Sequence, residues 1–548
     1  MTATVADLLA QRGDDESLGL VAGDECWSWA EVVGESRRYA AALAGLRGDG
    51  PFHVGILAEN TPEFLFTMFG AALAGAVTVG VNSTRRGAEL ARDITHTDCR
   101  IIATEAGQVD LLTGLDLNDA EIVSIDAPRW AELLARGEHA AQPAATVAAD
   151  DLFVLLFTSG STGAPKAVRM THGRATRAAL AATWFTADSV LYCTMPLFHG
   201  NSLNAIVFPA LATGATIALR RRFSASEFLP DCRRYHATFF STVGRALAYV
   251  LATPEHPDDR EHEVQYGLSP EASPTDMAAF TRRFGIPLVA GYGSSENAIV
   301  MVPAPGQPKD ALGVPQEGID AAIIDPDTGA EAATARLDSD GRLLNPTEAI
   351  GEIVGRNVAD RFEGYYNNPE ADAERIRDGM YLSGDLGYRD GRGLFFFAGR
   401  RGEWLRVDGE NFTAGLVERV LGRFPGVSAV AVYAVPDERT ADDQPMAAVE
   451  LVADAEFDAE AFTRFCADEP DLGTKWAPRY VRIGRLPVGG TNKVDRRALR
   501  SERWESAAPV WWRPDRTSPY RLMTDDDRRA LDEQFEAHGR AGALRRPG

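Results

Sequence analysis

Short apolar runs alternate with helix-length patterns from Trp27 to the region of Arg400, and this alternation commits the chain to a layered α/β fold. The runs FHVGILAE (52–59), CRIIATE (99–105), DLFVLLFT (151–158), ATIALRR (215–221) and IPLVAGYG (286–293) read as buried strands. The segments WSWAEVVGESRRYAAALAGL (27–46) and TDMAAFTRRFG (275–285) read as helices. At 548 residues the chain exceeds one average domain, so two or more cores are expected. A charge-rich hinge candidate falls at Gly399-Arg400-Arg401-Gly402-Glu403. Beyond it SAVAVYAVP (428–436) and MAAVELVA (446–453) suggest a smaller α+β unit, and the tail from Val510 ends in a polar, helix-like run. The predicted organisation is a large N-terminal domain of layered α/β subdomains over 1–400, a small mobile α+β domain over 401–510 and a C-terminal extension over 511–548.

Charge and cysteine content narrow the classes. The net charge of -23 argues against a surface that binds nucleic acid or an anionic membrane over the whole molecule. Five cysteines with no CxxC pair disfavour a disulfide framework or a zinc site, and a reducing cytoplasm is expected. The N-terminus carries early acids and does not read as a secretory signal. The stretch FLFTMFGAALAGAVTVGV (64–81) is uncharged and nearly long enough to span a bilayer. Thr61-Pro62-Glu63 opens it like a capped helix, and an internal glycine followed by a β-branched end suits a buried helix that ends near Gly75 and leads into a strand.

The strongest chemical signal is Thr158-Ser159-Gly160-Ser161-Thr162-Gly163-Ala164-Pro165-Lys166, directly after the run FVLLF. Small residues let backbone N–H groups approach an anion, and the hydroxyls and Lys166 add donors and charge. The order differs from that of a P-loop. A plain surface turn would not require a lysine at its end.

With this loop, the chain resembles the adenylate-forming superfamily of acyl-CoA synthetases, luciferases and peptide-synthetase adenylation domains. The matches occur in order: the loop, Tyr292-Gly293-Ser294-Ser295-Glu296, Gly351-Glu352-Ile353, Ser383-Gly384-Asp385, Gly399-Arg400 with Gly409-Glu410-Asn411, and Lys493 in GGTNKVDRRAL. The stretches FSASEFLPDCRRYHATFF (223–240), RFEGYYNNPEADAER (361–375), RRGEWLRVDGEN (400–411) and GTNKVDRRALRSERW (490–504) are similar to the fatty-acid-transport-protein, or very-long-chain acyl-CoA synthetase, branch. Composition rich in Ala, Gly and Arg also resembles actinobacterial diterpenoid-acid ligases of the platensimycin type.

The resemblance implies an acid–thiol ligase. A carboxylate is a poor electrophile, and attack on the α-phosphorus of ATP converts it to a mixed anhydride whose AMP can leave. By resemblance the 158–166 loop holds the β- and γ-phosphates, Glu296 binds Mg²⁺, and Ser295 touches the α-phosphate. Tyr292 stacks on adenine, and Gly291, Gly293 and Ser294 beside it belong to the nucleotide site. Asp385 and Arg400 serve the ribose, and Lys493 bridges the carboxylate and α-phosphate. For coenzyme A, the small domain turns about Arg401-Gly402 and presents Gly409-Glu410-Asn411, while His199 resembles the gate between acyl pocket and thiol tunnel. An apolar acyl pocket is expected from Phe198, Phe239, Phe240, Val243, Ile299 and Val300, which suits a hydrophobic carboxylic acid, straight-chain or polycyclic. A homodimer is expected.

Three positions depart from the branch. Ser269-Pro270-Glu271-Ala272 stands where glycines usually approach the nucleotide; Pro270 lacks an N–H, and Glu271 adds negative charge. Asp408 replaces a common lysine, and Asn492 precedes Lys493. These leave open an enzyme that thioesterifies a preformed acyl-AMP with little adenylation of its own. Two further alternatives are a ligase that loads a carrier protein and a fatty-acid uptake or binding protein.

Overall fold

The computed structural model describes the chain apart from residues 1–2, 138–145, 159–165, 271, 273, 309, 327, 340, 342, 401–403, 408–409, 441–442, 454, 470–471, 473–474, 489–493 and 546–548. The chain forms two compact units, Met1–Val300 with Val358–Gly379 and Met301–Asn357 with Met380–Gly548.

The first unit is built on two sheets. One runs Leu288–Val289, Tyr266–Leu268, Phe239–Ser241, Val190–Cys193, Thr216–Leu219, Leu18–Ala22, Glu25–Ser28. All neighbours in it are parallel except the last pair. The other runs Glu121–Ser124, Ile101–Thr104, His53–Leu57, Val77–Gly80, Leu152–Phe157, Ala167–Thr171, and is parallel up to the antiparallel pair formed by its last two strands. Four of the five strand runs read from the sequence hold a strand of four to six residues, while the run 286–293 yields only Leu288–Val289.

The long uncharged stretch resolves as the sequence suggests. The Thr61 side chain accepts a hydrogen bond from the Phe64 N–H at 3.3 Å and caps the helix Pro62–Ala74. Gly75 then turns left-handed at φ 70°, a conformation that disfavours any side chain, and the strand Val77–Gly80 follows. Helix Trp29–Gly45 crosses it so closely that a Cβ on Gly70 would lie 2.8 Å from Tyr39 Cβ and 2.9 Å from the Ala40 nitrogen. Phe64, Leu65, Met68 and Phe69 are fully buried, so the apolarity is that of a protein core. Among the described residues no helix is long and apolar enough to cross a membrane.

The second unit begins with a sheet ordered Met301–Val302, Ala311–Pro315, Phe395–Arg400, Met380–Arg389, Gly351–Gly355, Ala321–Ile324, antiparallel throughout. A further five-stranded sheet runs Val427–Pro436, Asp443–Leu451, Tyr480–Ile483, Val510–Trp512, Arg521–Leu522. Its first strand alternates: Val432 meets Val417, Leu421 and Phe462 in one core, while Ala431, Tyr433 and Val435 meet Leu499, Trp504, Leu531 and Phe535 in another. The extension expected over 511–548 thus supplies most of two strands, Val510–Trp512 and Arg521–Leu522, and a covering helix, Asp525–Ala537, to this sheet. Phe535 stacks on Trp504 at 6.0 Å, and Trp504 on Tyr480 at 4.9 Å.

The buried stack generates a test. Phe535→Ala should cost about 3–5 kcal/mol, the usual loss for an aromatic removed from a packed core. The check is the urea midpoint of unfolding; an unchanged midpoint would mean that the tail helix does not share the core.

Candidate nucleotide and acyl site

A hairpin carries the phosphate-loop residues. Strands Leu152–Phe157 and Ala167–Thr171 pair antiparallel, and the Thr158 N–H donates to the Lys166 carbonyl at 3.1 Å where they part. Ser159, Gly160, Ser161, Thr162 and Gly163 lie outside the described residues. So do Glu271, Arg401, Gly402, Gly409 and Lys493. For Glu410 and Asn411 only the backbone is described, in the strand Glu410–Thr413.

Segment 363–366 lies along the outer strand of this hairpin. The Arg169 N–H donates to the Gly364 carbonyl at 3.0 Å, and the Tyr366 N–H to the Ala167 carbonyl at 2.8 Å. The Glu363 carboxylate accepts from the Thr171 N–H and hydroxyl at 2.8 and 2.7 Å. Helix Pro369–Arg375 follows, and its last two residues point to two different groups. Glu374 Oε2 is 3.0 Å from Lys166 Nζ. Arg375 Nε donates to Tyr365 Oη at 3.1 Å, and its Nη2 lies 4.0 Å from Glu296 Oε1. Tyr365 Oη in turn donates to Glu296 Oε1 at 2.6 Å. Burial, then the Glu296 charge, pushes the Tyr365 phenol well above its ordinary pKa, so it stays protonated and able to donate.

Glu296 is only 5% exposed. A buried carboxylate is costly unless it is hydrogen-bonded and charge-paired, and Tyr365 and Arg375 provide both. Its loop is fixed from two further sides. The Asn297 N–H donates to the Ser294 carbonyl at 3.0 Å, with Asn297 itself left-handed at φ 51°. The buried Arg174 guanidinium donates to the Ser295 carbonyl and, at 2.7 Å, to that of Arg169. Gly200 approaches closely, since a Cβ there would meet Ser295 Oγ at 3.3 Å. Gly291, Tyr292 and Gly293 lead into this loop from the strand end at Val289, with Tyr292 half-buried.

Ser269, fully buried, follows strand Tyr266–Leu268, and its N–H donates to the Val289 carbonyl at 3.1 Å. The Pro270 carbonyl accepts from the Gly244 N–H at 3.2 Å. His199 is the N-cap of a short helical turn, Gly200–Ser202, that runs into a π-helical segment, Leu203–Val207. Single π turns inside helices recur at functional sites.

The acyl-pocket residues divide. Phe198, Phe239 and Ile299 are buried, and Val243 and Val300 partly so. Phe239 packs with Phe185 and Tyr266 at ring distances of 4.9 and 5.0 Å. Phe240 faces the other way, against Phe228 at 4.9 Å and Phe280 at 5.9 Å, beneath helix Pro274–Phe284. Adjacent strand residues point to opposite faces, so one pocket cannot be lined by both. Phe240 thus lies in a different core from Phe198 and Phe239.

In the second unit, strands Met380–Arg389 and Phe395–Arg400 pair Asp385 with Arg400, and the side chains approach to 3.5 Å. The Gly384 N–H donates to the buried Glu352 carboxylate at 2.8 Å, and the Asp385 N–H to Ser383 Oγ at 3.0 Å. The backbone before Asp385 is thereby fixed.

The sequence did not single out Arg174, Tyr365, Glu374 or Arg375 as functional. The motif RFEGYYNNPEADAER contains three of them and could have flagged them. As for Mg²⁺, no three His, Cys, Asp or Glu side chains cluster as a metal cage among the described residues. A single buried, oriented carboxylate fits a cation that takes one protein oxygen and fills its shell with phosphate oxygens and water.

A family model described as AMP-binding enzyme matches residues 7–366. Steroid-22-oyl-CoA synthetase of Rhodococcus jostii (strain RHA1) is 52% identical over 548 residues, covering 98% of each chain. The medium/long-chain-fatty-acid–CoA ligase FadD17 of Mycobacterium marinum (strain ATCC BAA-535 / M) is 40% identical, covering 93% of this chain and 98% of its own. The crystal structure of the anthranilate CoA ligase AuaEII in complex with anthranoyl-AMP shares the fold at TM-score 0.79 and 22% identity, covering 91% of this chain and 97% of that one. The chain therefore belongs to the AMP-binding enzyme family and is an acyl-CoA ligase of the adenylate-forming superfamily, using ATP and coenzyme A.

Proposed function

We propose that the chain joins the side-chain carboxylate of a polycyclic, steroid-like acid to coenzyme A. The observation that carries the substrate class is the 52% identity to steroid-22-oyl-CoA synthetase over nearly the whole of both chains, against 40% to FadD17. The second reading, a medium- or long-chain fatty acid, is favoured by that weaker similarity to FadD17. Buried Phe198, Phe239 and Ile299 suit either acid.

The reaction has two steps. A carboxylate oxygen attacks the α-phosphorus of ATP, the bond to the bridging oxygen breaks, and pyrophosphate leaves. The thiol of coenzyme A then adds to the acyl carbon, its proton is lost, and AMP departs with the oxygen that bonded it. Thr158, the 159–163 residues and Lys166 hold the terminal phosphates. Tyr292 stacks on adenine, with Gly291, Gly293, Ser294 and Ser269 beside it, and Asp385 and Arg400 accept and steady the ribose. Ser295 donates to the α-phosphate, and Lys493 bridges it to the carboxylate. Mg²⁺, when bound through Glu296, neutralises phosphate charge. For the second step the C-terminal domain, the tail strands of its sheet included, turns about Arg401-Gly402, removing Lys493 and presenting Gly409, Glu410 and Asn411, while His199 gates the thiol. The buried, oriented Glu296 and the Asp385–Arg400 pair support these roles.

Two measurements follow. Against a panel of acids, kcat/KM for a steroid bearing a short carboxylate side chain should exceed that for palmitate at least tenfold, roughly the discrimination a shaped apolar pocket affords. A preference for palmitate would select the second reading. Lys493→Ala should lower ATP–pyrophosphate exchange by about 10²–10³, the cost of one lost transition-state contact. Thioester formation from preformed acyl-AMP should be retained, and equal loss of both half-reactions would remove Lys493 from its assigned step.

A further inference from the structure

The residues around Glu296 form a chain of contacts that the assigned chemistry leaves unused. Arg375 donates to the Tyr365 oxygen, and Tyr365 donates to Glu296 Oε1, at 3.1 and 2.6 Å. The Lys166 ammonium lies 5.7 Å above the centre of the same tyrosine ring. Lys166 also pairs with Glu374, the neighbour of Arg375 on helix Pro369–Arg375. One buried tyrosine thus touches both an expected metal-binding carboxylate and the lysine that closes the phosphate loop.

We propose that Tyr365 is a positioning residue for adenylation: its hydroxyl holds Glu296 Oε1 and so presents the second oxygen to the metal–triphosphate, while its ring, beneath the Lys166 ammonium, keeps that lysine in register with the carboxylate. The assignment rests on the reading of Glu296 as the Mg²⁺ ligand. Several features favour it over simple core filling. Tyr365 is 2% exposed, yet its hydroxyl is committed to a carboxylate rather than to backbone. Its backbone is fixed beside the hairpin by the antiparallel bridge to Val168 and by the Tyr365 N–H donating to Asp372 Oδ1 at 2.7 Å. The ring therefore has a firm base from which to aim the carboxylate. A Glu296 side chain without this bond would rotate or draw toward Arg375, and either motion would misplace the metal.

The test separates the half-reactions. In Tyr365→Phe the ring and its contact with Lys166 remain and only the hydroxyl is lost. The Mg²⁺ concentration for half-maximal ATP–pyrophosphate exchange should rise about tenfold, as for loss of one hydrogen bond to a charged group. Calorimetric binding of ATP in the presence of Mg²⁺ should weaken to a similar degree, while ATP binding in chelator should be unchanged. Thioester formation from preformed acyl-AMP, which needs no metal–triphosphate, should stay within about twofold and reports that the variant is folded. Arg375→Gln should shift the Mg²⁺ requirement in the same direction, and Arg375→Lys should recover part of it. An unaltered Mg²⁺ requirement in Tyr365→Phe would overturn the proposal, as would a parallel fall of both half-reactions. Absence of exchange in the unmodified enzyme would instead defeat the adenylation reading on which the proposal stands.

Discussion

Parallel strands all release the chain at one edge of their sheet, and that constraint gathers the reactive loops of the first unit. In register, Cys193 pairs with Ser241, Ser241 with Leu268, and Leu268 with Val289. The segments that follow carry His199, Val243, Ser269 and the run Gly291–Glu296. Ligands of open α/β sheets bind outside the carboxyl ends of the strands for this reason. The second sheet obeys the same rule, with Thr158 leaving the carboxyl end of strand Leu152–Phe157.

Within that frame the cost of burying charge decides which side chains stay put. Glu296, Arg174 and Glu352 are each nearly sealed from water, and each is held by a donor or acceptor of matching character. Such groups are strongly destabilising when stripped of one partner, so their geometry is stiff. A stiff carboxylate and a fixed Ser295 backbone suit a reaction that works chiefly by holding two anions in line. Lys166, by contrast, pairs with the largely exposed Glu374, a contact of small worth that an incoming phosphate can replace.

Much of the fold is legible in the sequence because buried strands and capped helices carry local signals. Thr61-Pro62 and Gly75 mark the two ends of a helix that apolarity alone could have mistaken for a membrane span. The run 286–293 overstates its strand, since polar and glycine-rich residues after Val289 leave the sheet to form the Glu296 loop. The candidate site is legible only in part. Phe239 and Phe240 look alike in sequence, and only the strand's alternation sends them to different cores. The partners of Glu296 were missed because the nearest, Tyr365, lies 69 residues away, and a local pattern says nothing of such a contact. The tail read as an extension is a part of the last sheet, which Trp511 and Trp512 join by backbone pairing that no side-chain motif announces.

Activation of the acid turns on one covalent event, the bonding of a substrate carboxylate oxygen to phosphorus. Supplying the acid with both carboxylate oxygens isotopically heavy, together with ATP and coenzyme A, and recording the mass of the released AMP tests it most directly. The prediction is AMP carrying one heavy oxygen for each thioester formed. Unlabelled AMP, or heavy oxygen appearing in inorganic phosphate, would contradict it.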